Sequence, residues 1–190
     1  YLKRHAGVCV NCATGCSIWT EENQDVVYRL KPRENPFVNR WWMCDEGRYG
    51  FHYLEREDRL KGPWKRDEEG TWHAADWVKL IAEVREQLAK QEQLSVVVSP
   101  FMTVEEAYLL ATAARKLNPE AVLVLGPVPV AGEDEAFPGG FTIRAEKCPN
   151  HAGVRNVLAH FGPVTEWNDF LPGLYENAQL GAVWYVGGER

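Results

Sequence analysis

The spacing of apolar residues along this chain changes near residue 74. Before that point, short alternating runs such as SIWTEENQDVVYRL predict strands, with Glu22, Asn23 and Gln24 turning one into the next. Beyond it, Trp77, Leu80, Ile81, Val84 and Leu88 share one face of a 3.6-residue repeat and predict an amphipathic helix. LSVVVS, from Leu94 to Ser99, is a continuous apolar run of the kind buried on both faces of a parallel sheet. A second helix follows it: Thr103 and Glu106 form a T-x-x-E capping box, and Val104, Ala107, Leu110, Ala111, Ala114 and Leu117 make the apolar stripe. Asn118 and Pro119 stop this helix, and AVLVL, from Ala121 to Leu125, repeats the buried-strand pattern. The order strand, helix, strand predicts a parallel pair joined by a crossover.

Residues 126–140, GPVPVAGEDEAFPGG, hold three prolines and four glycines and read as a long loop. FTIRA predicts a short strand, Val154, Val157, Leu158 and Phe161 mark a further helix face, and GAVWYVGG predicts another buried strand ending in a glycine turn. The expected fold class is α/β: a small β-rich unit over residues 1–74, then an incomplete doubly wound, mostly parallel sheet over 75–190. The chain begins with Tyr1 rather than Met and stops at its last strand, which reads as a piece of a longer protein.

Composition narrows the classes. The chain has 190 residues, 45% hydrophobic and 25% charged, which is ordinary globular usage. With 21 basic against 27 acidic residues, the net charge of -6 leaves no broad cationic face for nucleic acid. The longest apolar run, AVLVLGPVPVAG, is broken by two prolines and falls short of the roughly 20 residues a membrane span needs.

Five cysteines change the picture, because three fall in CVNCATGC and a fourth in WWMCDEGRYG. The spacing is C-x2-C-x3-C, then 27 residues, then C. An odd count with a tight C-x-x-C is a poor disulfide framework and points to a reducing compartment. Three thiolates from one short loop need a sharp backbone turn, which Gly15 permits. A clustered triplet plus one remote thiolate is the usual ligand supply for a [4Fe-4S] cluster, so Cys9, Cys12, Cys16 and Cys44 are the candidate ligands. Structural zinc is the alternative occupant, although such sites usually present two C-x2-4-C knuckles and only one is here.

The triplet, the run MCDEGRYG and the following EREDRLKGPWKR resemble the cluster-binding domain of the molybdopterin oxidoreductase superfamily. Within it they resemble the large iron-sulfur subunit of NADH-quinone oxidoreductase (NADH dehydrogenase), respiratory complex I. The resemblance implies an electron-transfer or scaffold role around one [4Fe-4S] cluster. It also implies partner subunits that include a flavin-containing, NADH-oxidising one, and a cytoplasmic position peripheral to the membrane. Members that use molybdenum or tungsten carry C-x-K-G at the fourth cysteine. Here Glu46 takes the lysine's place, which argues against bound molybdopterin. Two rivals are an amino-terminal piece of a formate dehydrogenase-like molybdopterin enzyme, with Cys148 near the metal, and a structural zinc module for protein interaction. Cys148 otherwise reads as a small buried hydrophobe opening the helix near Asn150.

Other residues carry weaker signals. Trp41 and Trp42 precede the fourth cysteine, where their rings would pack in the core and keep water from a cluster. Arg48 lies in GRYG with a specific and a surface role equally open. His5 reads as exposed and not a ligand, and Glu133, Asp134 and Glu135 as a solvated loop. Gly187 and Gly188 end a strand without a G-x-G-x-x-G motif. The sequence contains no Ser-His-Asp arrangement, H-E-x-x-H motif or Walker loop, so it displays no independent active site.

Overall fold

A computed structural model describes residues 1–176 and 181–187. The chain opens with β1 (Lys3–Val8), β2 (Ser17–Asn23) and β3 (Val26–Pro32), then a short helix α1 (Asp45–Tyr49) and a 3-10 turn at His52–Glu55. Next come the hairpin of β4 (Trp64–Arg66) and β5 (Trp72–Ala74), α2 (Trp77–Ala89), β6 (Leu94–Val98), α3 (Val104–Leu117) and β7 (Val122–Leu125). The remainder is β8 (Glu135–Ala136), β9 (Thr142–Ile143), α4 (His151–His160), β10 (Thr165–Glu166), α5 (Trp167–Glu176) and β11 (Ala182–Val186). The protein is thus mixed α/β, with a small antiparallel sheet at its amino-terminal end and a parallel sheet later.

The antiparallel sheet has the order β1-β2-β3. Its second turn lies at Gln24 and Asp25, whose φ of 53° and 63° are both positive, and Glu22 and Asn23 belong to β2. The turn therefore falls later than the sequence indicates, because a two-residue loop with this backbone matches the twist of the strands it joins. Glu21 is buried within the sheet, where Arg4 and Arg29 hydrogen-bond its carboxylate. Two cations thus compensate a charge that would otherwise be costly to bury.

The parallel sheet has the order β10-β7-β6-β11. Val96, Val97 and Val98 of β6 and Leu123, Val124 and Leu125 of β7 are fully buried. Burying each such side chain is worth about 1.5–3 kcal/mol, so these two strands anchor the core. Leu94, Val96 and Val98 form one core with Ala107, Leu110, Ala111 and Ala114 of α3 and Val154 and Leu158 of α4. The small alanines let α3 lie close to the sheet. Its capping box is formed: Thr103 Oγ1 accepts the Glu106 N–H at 3.1 Å and the Glu106 carboxylate accepts the Thr103 N–H at 2.9 Å.

The chain steps outward from β6 to β7 to β10, then returns to the far side of β6 as β11. β11 is an edge strand with an alternating pattern, not one buried on both faces. Ala182, Trp184 and Val186 turn to the core, while Val183 and Tyr185 remain largely exposed. One face of this strand packs on the core and the other is open to solvent, which produces the alternation.

Helix α2 forms where its periodicity predicts and is capped by Asp76, whose side chain accepts the Lys79 N–H. Of its apolar face, Leu88 is buried, whereas Trp77 and Ile81 are each 59% exposed. This face meets Leu117 and Trp184 along a groove of about 270 Å³. Residues 126–140 are mostly loop, except that β8 pairs with β9 of FTIRA. Pairing lets two short segments satisfy each other's backbone groups beside the glycines.

Candidate metal centre

The cysteine loop is the turn of the first hairpin. Val8 pairs with Ser17, and the Cys9 N–H donates to the Cys16 carbonyl at 2.8 Å, so the triplet opens at the hairpin's end. Gly15, at φ 63°, reverses the chain there. Cys9, Cys12 and Cys16 are buried, and none of them is in a disulfide.

Cys44 arrives from another element as the N-cap of α1, where its Sγ accepts the Gly47 N–H at 3.3 Å. The glycines of GRYG and its flank have steric reasons. A Cβ on Gly47 would lie 3.2 Å from Cys9 Sγ, and one on Gly50 would lie 2.7 Å from Asn11 Nδ2. Asn11 donates to the Glu46 carbonyl at 2.6 Å, tying the triplet loop to α1. Gly47 therefore stands between the two sources of cysteines, against Cys9 on one side and hydrogen-bonded to Cys44 on the other.

Burial, and then the charges of Cys9, Cys12 and Cys44, push the Cys16 thiol up to about 12. Ionising sulfurs crowded in this way is costly without a cation beside them, and metal binding to such a set releases protons. The four candidate donors are soft sulfurs, the ligand type of thiolate-bound iron or zinc. Among the described residues, no group of three or more His, Cys, Asp or Glu side chains is arranged to hold a single metal ion.

Trp41 and Trp42 do not shield the site: they are 63% and 48% exposed. Asn39 takes the inward position instead, fully buried, with its Oδ1 accepting the Ser17 N–H at 2.9 Å and its Nδ2 donating to the Trp42 carbonyl at 2.9 Å. That polar anchor turns both indoles outward. Ile18, Met43 and Phe141 pack around Cys9 and Cys16 in their place. Met43 stands beside Cys44 in sequence, whereas Phe141 carries no such signal because it comes from the loop before β9.

The segment from Thr142 to Lys147 clamps both parts of the site. Thr14 Oγ1 donates to the Thr142 carbonyl at 2.6 Å, and the Ala13 N–H donates to the Glu146 carbonyl at 2.9 Å. Lys147 Nζ lies 3.3 Å from the Glu46 carboxylate on α1. Asp134, expected in a solvated loop, helps place the segment: its carboxylate accepts the Ala145 N–H at 2.8 Å and pairs with Arg144 at 2.6 Å. That N–H first, then Arg144, hold its carboxyl below the usual carboxylate range.

Cys148 is fully buried just ahead of α4. Its thiol donates to Glu146 at 3.5 Å, and Glu146 also meets His151 Nδ1 at 3.2 Å. Burial first, then the Glu146 charge, push this thiol up to about 12, so it stays protonated and unreactive at neutral pH. His5 is exposed and pairs with Glu22 at 3.3 Å, and the Arg48 N–H closes the first turn of α1 on the Cys44 carbonyl at 3.0 Å. Gly187, at φ 92°, abuts Ser99 at the end of β6, while Gly188 lies outside the described residues. Among the described residues, no helix is long and apolar enough to cross a membrane.

Fold and site together define a class: an α/β protein whose cysteine-bearing hairpin is clamped by a loop from its parallel-sheet half. No family model matches the chain. Over 109 residues, 57% of its length, it is 35% identical to the G subunit of NADH-quinone oxidoreductase from Streptomyces coelicolor, and the match takes in 13% of that protein. It is 32% identical over 112 residues to subunit 3 of the NADH-quinone oxidoreductase of Thermus thermophilus, covering 58% of this chain and 14% of the relative. The Escherichia coli G subunit is 30% identical over 108 residues, 54% of this chain and 11% of the relative. The chain thus spans a small fraction of the length of the curated relatives it resembles.

Proposed function

We propose that this chain carries one [4Fe-4S] cluster on Cys9, Cys12, Cys16 and Cys44, as the electron-transfer or scaffold portion of a large iron-sulfur subunit of NADH-quinone oxidoreductase. The observation that carries this reading is that Gly47 packs against Cys9 Sγ and donates its N–H to Cys44 Sγ at 3.3 Å, so the triplet loop and Cys44 meet although they come from separate elements. When bound, such a cluster supplies one-electron exchange at a potential set by burial and by hydrogen bonds to its sulfurs. The chain's own part is to position and shield: Gly47 offers its N–H to Cys44, and Ile18, Met43 and Phe141 keep water from Cys9 and Cys16.

On this reading residues 1–74 are the cluster-binding unit and 75–190 the opening of a doubly wound sheet, whose strand order reverses between β6 and β11. Partners would be other subunits of the same enzyme, including the flavin-containing NADH-oxidising one, with this part on the cytoplasmic side. Pterin chemistry is not assigned. The acidic Glu46, paired with Lys147, occupies the position where pterin-using members place a lysine.

The test is anaerobic purification with iron, sulfide and zinc analysis, and electron paramagnetic resonance after dithionite reduction. About four iron atoms per chain and a reduced-cluster signal are expected, with Cys44→Ala leaving a three-iron or labile centre. Near-stoichiometric zinc without a signal would refute the assignment.

A further inference from the structure

Thr14 makes three hydrogen bonds with one hydroxyl. It accepts from the Cys12 thiol at 3.3 Å and from the Arg144 N–H at 3.3 Å, and it donates to the Thr142 carbonyl at 2.6 Å. A hydroxyl has one proton and two lone pairs, so with Cys12 protonated the group is fully used. A metal-bound cysteine carries no proton. In that state Cys12 has nothing to donate, and a lone pair of Thr14 would face the sulfur unless the hydroxyl proton turns toward it. Cys12 Sγ and the Thr142 carbonyl then compete for a single proton. Hydrogen bonds to an anionic acceptor are roughly twice as strong as neutral ones, which favours the sulfur.

The geometry points to Thr14 as a positioning residue whose hydroxyl swaps partners when Cys12 becomes a ligand, donating to its sulfur and releasing Thr142. This rests on the iron-sulfur reading and adds to it a residue that sets the potential. It also gives the state of Cys12 a physical route to the clamp, because Thr142 opens the segment that reaches Glu46 through Lys147. Donation to a ligand sulfur stabilises the more negative, reduced state and raises the midpoint potential.

The experiment compares wild type, Thr14→Val and Thr14→Ser in the full chain, purified anaerobically, by iron content and by a redox titration followed by electron paramagnetic resonance. Valine keeps the shape and removes the proton; serine keeps the proton. The expected result, read on the iron-loaded fraction of each protein, is a lower midpoint in Thr14→Val and a midpoint restored in Thr14→Ser. Equal midpoints in three iron-loaded proteins would overturn the role of Thr14 and leave the cluster assignment standing, even if Thr14→Val melts earlier. A wild-type chain that binds no iron would overturn the cluster assignment itself, and this inference with it.

Discussion

Replacing Gly47 by alanine strains the site at its narrowest point. Gly47 lies inside α1 and is buried, and its backbone does not require glycine there. The added methyl gains about 1 kcal/mol of helix propensity. It also arrives 3.2 Å from Cys9 Sγ and 3.2 Å from Met43 Cε, inside the roughly 3.5–4.0 Å at which such atoms attract. Overpacking of this kind costs about 1–3 kcal/mol where neighbours cannot give way.

Whether they can depends on the metal. Without a metal the flexible Met43 thioether can take up part of the overlap, so gain and cost leave stability within about 1 kcal/mol of wild type. Once Cys9 is held as a ligand, it cannot retreat, and the cost falls on the loaded state alone. At about 1.4 kcal/mol per factor of ten, Gly47→Ala should hold iron about tenfold more weakly against a chelator. The assay pairs chelator titration of the loaded protein with thermal melting of the apo chain. An iron affinity equal to wild type would refute the proximity of Cys9 and α1 on which the site depends.

Thr103→Ala removes one half of the α3 capping box and should lower stability by about 1 kcal/mol in a denaturant titration; an unchanged midpoint would mean that the cap is not carrying the helix start. Alkaline pH should destabilise the apo chain through Cys148, which the folded state keeps protonated up to about 12 against an ordinary 9.0. Its contribution is fully present below pH 9 and is lost as pH rises toward 12, with a slope of at most about 1.4 kcal/mol per pH unit for one proton. Denaturant titrations under reducing conditions from about pH 8 to about 10.5 should therefore fall less steeply for Cys148→Ala than for wild type, and parallel curves would contradict the burial of a protonated thiol.

What is legible in the sequence is what local pattern encodes. β6, α3 and β7 follow from continuous apolar runs and a capping box, signals contained within a few residues of the elements they define. The hairpin turn falls at Gln24 and Asp25 because strand twist, not polarity, selects the residues with positive φ. β10 is two residues long, and α5 carries Pro172 inside it, so neither has a periodic signature that survives its own breakers. Trp41 and Trp42 read as core from apolar character alone, which does not fix which neighbour faces inward. The buried Asn39, with its hydrogen bonds to Ser17 and Trp42, decides that.

The cysteines are legible for a related reason and their surroundings are not. Spacing within a loop reports which sulfurs leave one turn together, and the remote Cys44 is marked by the residues that follow it. Thr142, Arg144 and Lys147 reach the site across sequence separations of 128, 130 and 101 residues, which no local period records. Such contacts form only after the intervening chain has closed, and loop closure is a cost met before any contact repays it. β6, α3 and β7 lie inside that loop and are the elements best able to form from local signals. It follows that the β6-α3-β7 unit is able to form ahead of the complete cysteine site. The hairpin can present its three thiols early, but Phe141 and the clamp on the far side of the site arrive only when the chain between has closed.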